Sequence, residues 1–259
     1  MSLRLWDKNN AVMAETFFES GEGRAAGVRR LFSRIAPRYD LINDIQSFGL
    51  HRYWKRRLIR LAGLSPGRTA LDVCCGTGDL AFALARRGAR VVGLDFSPAM
   101  LKIAEQRKGS ATELRTEMAS APGFLLGDAR RLAFGDNSFD VVTIGYGLRN
   151  LPDWQAGLDE MRRVATPGGR LLVLEFGKPD NAIWRACYFS YLKLFVPVLG
   201  LLFCGSAAAY AYILESLEHF PAQSKVADRL REIGLKNVRV INLLGGAMSI
   251  LYAEKPVRA

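Results

Sequence analysis

Residues 71–79 read Leu-Asp-Val-Cys-Cys-Gly-Thr-Gly-Asp, an apolar run that ends in a Gly-x-Gly turn and leads straight into the helical pattern DLAFALARR. A strand passing through a glycine turn into a helix is the opening of a βαβ unit, and the start of that helix is where a parallel sheet holds a nucleotide-like ligand. Gly76 and Gly78 let the backbone turn tightly and approach a ligand where a Cβ would intrude. Asp95 follows about 20 residues on, the spacing of a ribose-binding acid. Gly76 to Ala81 also fits the G-x-G-x-x-G/A dinucleotide fingerprint, so the turn by itself leaves a nicotinamide cofactor and S-adenosylmethionine both open.

From 68 to 176 short apolar runs alternate with helical patterns, which predicts an α/β domain around a mostly parallel sheet. Strands are expected near 69–74, 90–95, 123–126, 139–145 and 170–176, with helices near 79–87, 98–108 and 153–165. Ser97 reads as an N-cap with Pro98 at the first helical position, and Pro152-Asp153 opens the third helix. The polar stretch 109–122 reads as a surface loop or frayed helix end, and Pro167-Gly168-Gly169 as a turn. Two apolar runs around Gly245-Gly246, within 238–254, predict a terminal antiparallel hairpin.

The 259 residues, 49% of them hydrophobic, suffice for one principal domain with a sizeable core. Cys74, Cys75, Cys187 and Cys204 show no C-x-x-C spacing and there are only two histidines, so no metal site or disulfide framework is expected and a reduced, cytoplasmic protein is. The amino terminus lacks a signal-peptide apolar core. A net charge of +11 points to an anionic partner, a membrane surface or a nucleic acid. The densest basic cluster, His51–Leu61, suits either an interfacial helix or a surface helix with its apolar stripe in the core. From Leu194 to Leu214 no residue is charged, long enough for a membrane span, but Pro197, Gly200 and Gly205 interrupt it and favour a cap over an apolar ligand cavity.

Acids at successive strand ends separate the cofactors. Asp72 and Asp79 flank the glycine turn with no Lys or Arg between them, a poor setting for a pyrophosphate and a good one for the ammonium and sulfonium of S-adenosylmethionine. Asp95 can accept from ribose hydroxyls, beside Phe96, and Asp128, next to the small Ala129, from the adenine amino group. Each acid alone has a plainer reading as a strand-end or N-cap carboxylate; three at one sheet edge converge on one crevice.

These motifs, with Phe139-Asp140-Val141-Val142, resemble those of class I S-adenosylmethionine-dependent methyltransferases. The flanks narrow the resemblance. Phe32 to Asp40, Asn43-Asp44, Ser47 to Lys55 and Tyr146-Gly147-Leu148-Arg149-Asn150 are similar to the signatures of the ubiquinone/menaquinone biosynthesis C-methyltransferases, over nearly the whole chain from about residue 28. Departures are Ile42 where the family usually has Met, Gln46 where it has an apolar residue, Ala165-Thr166 for Leu-Lys, Gly177 for Ser, and Cys74-Cys75 for small residues.

The resemblance implies a Rossmann-like seven-stranded sheet, mostly parallel with a terminal antiparallel hairpin, plus amino-terminal helices and an apolar helical cap. Residues 1–67 would cover the active site and 68–259 form the methyltransferase domain, with the cap inserted at about 180–222. It implies S-adenosylmethionine as cofactor, held by Asp72, Gly76, Thr77, Gly78, Asp95, Phe96, Asp128, Ala129 and Gly145, the last standing where the family often has Ser. The implied reaction is C-methylation of a reduced, polyprenylated quinone precursor, most simply demethylmenaquinol to menaquinol. Carbon becomes nucleophilic once the adjacent hydroxyl loses its proton, so a site must hold phenolate charge and align carbon with methyl and sulfur. Arg149 with Asn150 is the electrostatic candidate, His51 the proton acceptor, and Tyr39 and Asp40 would position the hydroxyl or cover the cofactor. The expected partners are a lipophilic quinol and an anionic membrane surface at the inner face of the membrane; a homo-oligomer is left open. A nucleic-acid methyltransferase is disfavoured, since no N/D-P-P-Y-type motif follows the fourth strand.

Overall fold

The computed structural model describes residues 22–113, 120–204 and 208–257. Residues 1–21 of the expected amino-terminal segment, 114–119 of the polar stretch and 205–207 of the cap lie outside the described residues. Strands β1 (Thr69–Val73), β2 (Arg90–Asp95), β3 (Gly123–Leu126), β4 (Phe139–Gly145), β5 (Ala165–Phe176), β6 (Lys236–Leu243) and β7 (Met248–Glu254) form one seven-stranded sheet in the order β3-β2-β1-β4-β5-β7-β6. The first five are parallel, and β7 runs antiparallel between β5 and β6. This is the Rossmann-like sheet with a terminal antiparallel hairpin that the sequence predicts.

Two expectations need adjustment. The Pro167-Gly168-Gly169 turn lies inside β5, where the register against β4 slips between Phe139 and Val141. Gly168 has φ +76°, and a Cβ on Gly169 would come 2.7 Å from the Thr166 carbonyl oxygen, so an irregularity in the strand replaces a free turn. The second predicted helix also runs on, from Pro98 to Glu113, into the stretch read as polar loop.

Both faces of the sheet are buried, and consecutive strand residues alternate between two cores. On one face Leu71, Val73, Val142 and Ile144 meet Leu158 and Met161 of the helix Trp154–Val164 and Val226 and Leu230 of the helix Gln223–Glu232. On the other, Ala70, Val91, Val141 and Leu172 meet Leu80 and Leu84 of Asp79–Ala85 and Trp54 and Leu58 of Leu50–Ala62. In chain order the helices are α1 (Glu22–Ile35), α2 (Tyr39–Gln46), α3 (Leu50–Ala62), α4 (Asp79–Ala85), α5 (Pro98–Glu113), α6 (Trp154–Val164), α7 (Ala182–Cys204), α8 (Ala208–His219) and α9 (Gln223–Glu232). The basic cluster is α3. His51, Trp54, Leu58, Ile59 and Ala62 face the protein interior, as the surface-helix alternative has it, while Leu50 and Tyr53 stay exposed.

A third core forms the cap. Val28 and Leu31 of α1 pack with Tyr188, Leu192 and Val196 of α7 and with Tyr212, Ile213 and Leu217 of α8. Of the uncharged run from 194 to 214, Val196, Tyr212 and Ile213 are buried in this core, and no described helix is long and apolar enough to cross a membrane.

Gly78 opens α4 at φ +88°, and a Cβ there would lie 2.9 Å from the rings of both Phe82 and Phe124. Gly78→Ala combines left-handed strain with overpacking and is expected to cost roughly 1–3 kcal/mol. A urea midpoint lowered at unchanged slope would report it.

Candidate active site

Two adjoining cavities lie beyond the carboxyl ends of the parallel strands, where the connections leaving β1 and β4 depart to opposite sides and open α/β sheets bind ligands. The first, of about 320 Å³, is a crevice walled by Gly76, Asp95, Phe96, Asp128, Ala129 and Gly145, six of the nine residues expected at the cofactor. Asp95 Oδ2 accepts from the Gly76 amide at 2.8 Å and Oδ1 from the Ser97 amide at 2.9 Å, so the acid at the end of β2 also holds the glycine turn in place. Burial raises its pKa against the pull of those amides. Asp128 accepts from the backbone amide and guanidinium of Arg130, whose hydrogen bonds lower its pKa. A Cβ on Gly145 would lie 2.7 Å from Leu80 Cδ1, so the Ser that the family often carries there would require the Leu80 side chain to shift.

Asp72, Thr77 and Gly78 do not wall the crevice. Asp72 is buried behind the turn, with Oδ1 accepting from Thr143 Oγ1 at 2.8 Å and Oδ2 without a partner. Burial pushes its carboxyl up to about 7 despite the Thr143 bond. Thr77 Oγ1 donates to Asp40 Oδ1 at 2.9 Å, and Arg107 bonds Asp40 at 3.1 Å and Asp79 at 2.7 Å, while Lys55 reaches Asp79 at 2.6 Å. Asp79 is thus not an uncompensated acid at the turn, as the local sequence suggested. Burial disfavours its charge, but Lys55 and Arg107, supplied by α3 and α5, hold its carboxyl well below the usual range. Asp40 belongs to this fastening rather than to either cavity wall.

The second cavity, also about 320 Å³, is mainly apolar and is enclosed by α1, α2, α3, α7 and α8. Phe32, Tyr39 and Tyr146 wall both cavities. Arg149 and His51 line this second chamber, whereas Asn150 faces the first. Arg149 is buried in an ion pair with Glu175 at 2.6 Å, donates to the Tyr146 carbonyl at 2.7 Å and lies 4.7 Å above the Phe176 ring. Burial works against its charge, and Glu175 more than offsets this, holding the guanidinium above its ordinary pKa. Asn150 donates to the Tyr146 carbonyl at 3.1 Å and accepts from the Tyr212 hydroxyl at 3.0 Å.

His51 is also buried. The Ser47 hydroxyl lies 2.5 Å from the Asn43 carbonyl and 2.9 Å from His51 Nδ1, and His51 Nε2 lies 3.7 Å from Asp44. Desolvation, then the Lys55 charge, pushes His51 down to about 4. Tyr39 is pushed by burial up to about 12, opposed by the neighbouring Asn43 amide.

Glu175 escaped the sequence reading, although a lone acid closing the apolar run RLLVLEF at the sheet's carboxyl edge was the available signal. Lys55 and Arg107 offered no such signal, because they reach the turn from elements 24 and 28 residues away from Asp79.

Solved structures share this architecture. A S-adenosylmethionine-dependent methyltransferase from Aquifex aeolicus superposes with a TM-score of 0.54 at 19% identity, covering 77% of this chain and 88% of that one. Haemonchus contortus phosphoethanolamine N-methyltransferase 2, solved with S-adenosyl-L-methionine, gives 0.57 at 16% identity, covering 79% and 52%. The fold is that of a S-adenosylmethionine-dependent methyltransferase. Within that class the chain belongs to the ubiE/COQ5 methyltransferase family, whose model matches residues 19–255. Among its relatives, the demethylmenaquinone methyltransferase of Desulfitobacterium hafniense (strain Y51) is 39% identical over 241 residues, 92% of this chain and 93% of the relative. That of Staphylococcus aureus (strain Newman) is 39% identical over 233 residues, 88% and 93%.

The raised Asp72 carboxyl makes stability pH-dependent. The folded protein holds a proton there up to about pH 7 that the unfolded chain releases near its ordinary value, so this group's contribution is greatest at low pH and is lost as pH rises through 7. Without added cofactor, stability should fall by up to about 4 kcal/mol from this group between about pH 4 and pH 8, and Asp72→Asn should flatten that slope in urea titrations.

Proposed function

We propose that this enzyme transfers a methyl group from S-adenosylmethionine to a ring carbon of a reduced, prenylated quinone precursor, with a demethylmenaquinol as the best-supported acceptor. The carrying observation is the apolar chamber that shares Phe32, Tyr39 and Tyr146 with the acid-lined crevice. An aromatic head group there would lie against the cofactor's reactive end while a prenyl tail runs between α1, α7 and α8. Both relatives described above carry the name demethylmenaquinone methyltransferase.

The crevice fits the cofactor: Asp95 would hold ribose hydroxyls, Asp128 the adenine amino group, and the unpartnered Asp72 Oδ2 supplies an acid behind the turn for a cationic ligand. Bound S-adenosylmethionine supplies an electrophilic methyl on a sulfonium. The protein's task is to make the ring carbon nucleophilic. Burial raises the Tyr39, Tyr146 and Tyr188 phenols, and Arg149 opposes that rise in each; the same field favours ionisation of an acceptor hydroxyl among them. Glu175 neutralises part of that field, so Arg149 also serves to hold Tyr146 through its carbonyl. His51 is neutral near pH 7 and lies between the apolar chamber and a polar groove that contains Asp44, Arg52 and Lys55. It accepts the hydroxyl proton and passes it toward that groove, with Asp44 supporting the transient positive charge.

The acceptor would come from a bilayer. Phe48 and Ile183 are 78% exposed and Leu194 and Phe195 62%. With Arg52 exposed beside Phe48, they suit a peripheral site on an anionic membrane, on the cytoplasmic side. Phe48→Ser with Phe195→Ser should lower sedimentation with phosphatidylglycerol vesicles several-fold, while unchanged sedimentation would remove this docking face.

Incubation with methyl-labelled S-adenosylmethionine and each reduced quinone precursor, followed by mass analysis, tests the reaction: a ring-methylated quinol is expected. Inactivity on every quinol together with activity on RNA would overturn the proposal. Asp95→Asn should weaken cofactor affinity about tenfold or more, and full affinity in that variant would remove the ribose role.

A further inference from the structure

Among the described residues six side-chain polar atoms are buried without a hydrogen-bond partner. Four of them, Asn43 Nδ2, Gln46 Oε1, Tyr146 OH and Tyr188 OH, belong to residues that wall the apolar chamber. Buried polar groups left unmet cost stability and are rare, so such a concentration around one cavity marks where a ligand's own polar atoms go. Asn43 and Tyr188 are each only 8% exposed.

The four atoms differ in what they can do. Gln46 Nε2 donates to Asn43 Oδ1 at 2.9 Å, which couples the two amides on α2 and leaves one acceptor, Gln46 Oε1, beside one donor, Asn43 Nδ2. Reversing both amides leaves the same complement, one acceptor and one donor, so the pairing does not depend on how the amides are oriented. A quinol hydroxyl both donates and accepts and satisfies the two together. A quinone carbonyl only accepts; it satisfies the amide N–H and strands the amide oxygen. A tyrosine hydroxyl, by contrast, turns to donate or accept and serves either form.

We infer that the Asn43–Gln46 amide pair reads the oxidation state of the acceptor, selecting quinol over quinone at the binding step, while Tyr188 holds a ring oxygen in either state. This rests on the prenylated-quinol reading of the chamber. Gln46 is then a specificity-determining residue, and its place on α2 follows from that role, since α2 also carries the Tyr39 ring that separates the two cavities. The selection is useful because only the reduced ring has a hydroxyl to ionise; a bound quinone would block the chamber unproductively.

The test uses the full chain saturated with S-adenosylhomocysteine and titrated anaerobically in a calorimeter with a 2-prenyl-1,4-naphthoquinone, dithionite-reduced or oxidised. The wild-type protein should bind the reduced form about tenfold or more tighter, the cost of one stranded buried acceptor. Asn43→Leu combined with Gln46→Met, which removes both amides, should weaken the reduced form more than the oxidised and bring the ratio near one, with KM for quinol raised and kcat retained in the methyl-transfer assay. Gln46→Glu keeps an acceptor oxygen and should keep the preference. Tyr188→Phe should weaken both forms alike and leave the ratio unchanged. A wild-type ratio near one, or a double-variant ratio equal to that of the wild type, overturns the inference while leaving methyl transfer to quinols intact. Absence of methyl transfer to any quinol removes the acceptor reading itself, and this inference with it.

Discussion

The ion pair between Arg149 and Glu175 is the constraint around which the site is arranged. Glu175 ends β5 and Arg149 follows β4, so the pair ties the ends of two adjacent parallel strands where both cavities open. Glu175 also accepts from the backbone amides of Arg149 and Phe176, and Arg149 reaches Ser216 of α8, which brings the cap into the same network. Burying two charges is expensive and is repaid only when their remaining hydrogen bonds are met, as most are here; loss of either partner from such a site costs on the order of 3–5 kcal/mol. An apolar pair of equal volume would pack as well. It could not hold the Tyr146 carbonyl, nor place a positive field on the phenols around the acceptor chamber.

A second set of charges connects the cap to the cofactor crevice. Asp40 on α2 and Lys55 on α3 reach Thr77 and Asp79 at the glycine turn, with Arg107 of α5 bridging both acids. These groups are partly exposed, so each pair contributes modestly and is screened by salt. Their consequence is geometric: the helix that places Tyr39, Asn43 and Gln46 on the wall of the apolar chamber is fastened to the glycine turn.

Most of the sheet was legible because parallel strands buried on both faces read as short apolar runs with glycine or N-cap punctuation, as at Gly76–Asp79 and Ser97-Pro98. The start of β5 was not, since Pro167-Gly168-Gly169 carries turn chemistry and is kept in the sheet by the pairing of Ala165 with Phe139 and by backbone hydrogen bonds of Gly168 and Gly169 with Lys255. At the site, Gly76, Asp95, Phe96, Asp128, Ala129 and Gly145 lie at strand ends or just beyond them and could be read from spacing. Asp79 misled because the cations that neutralise it arrive through tertiary structure. The amide pair on α2 and the phenol of Tyr188 carry no sequence signal beyond residue type, because their significance is the lack of a partner in a closed chamber.

Backbone strain shows where the fold gives up local stability for this arrangement. Six described non-glycine residues have positive φ, and four of them, Phe48, Cys74, Tyr146 and Leu244, wall one cavity or the other. Each such conformation costs on the order of 1–2 kcal/mol and persists only where surrounding contacts over-determine it. For Tyr146 those contacts are the hydrogen bonds of Arg149 and Asn150 to its carbonyl, which turn the ring into the wall between the chambers. For Leu244 it is Trp184 Nε1 donating to its carbonyl at 3.0 Å, across the chamber mouth. A relaxed backbone at 146 would swing the ring out of the shared wall and open the cofactor crevice to the acceptor chamber. The strain is thus the cost of a single aromatic boundary between the crevice and the apolar chamber.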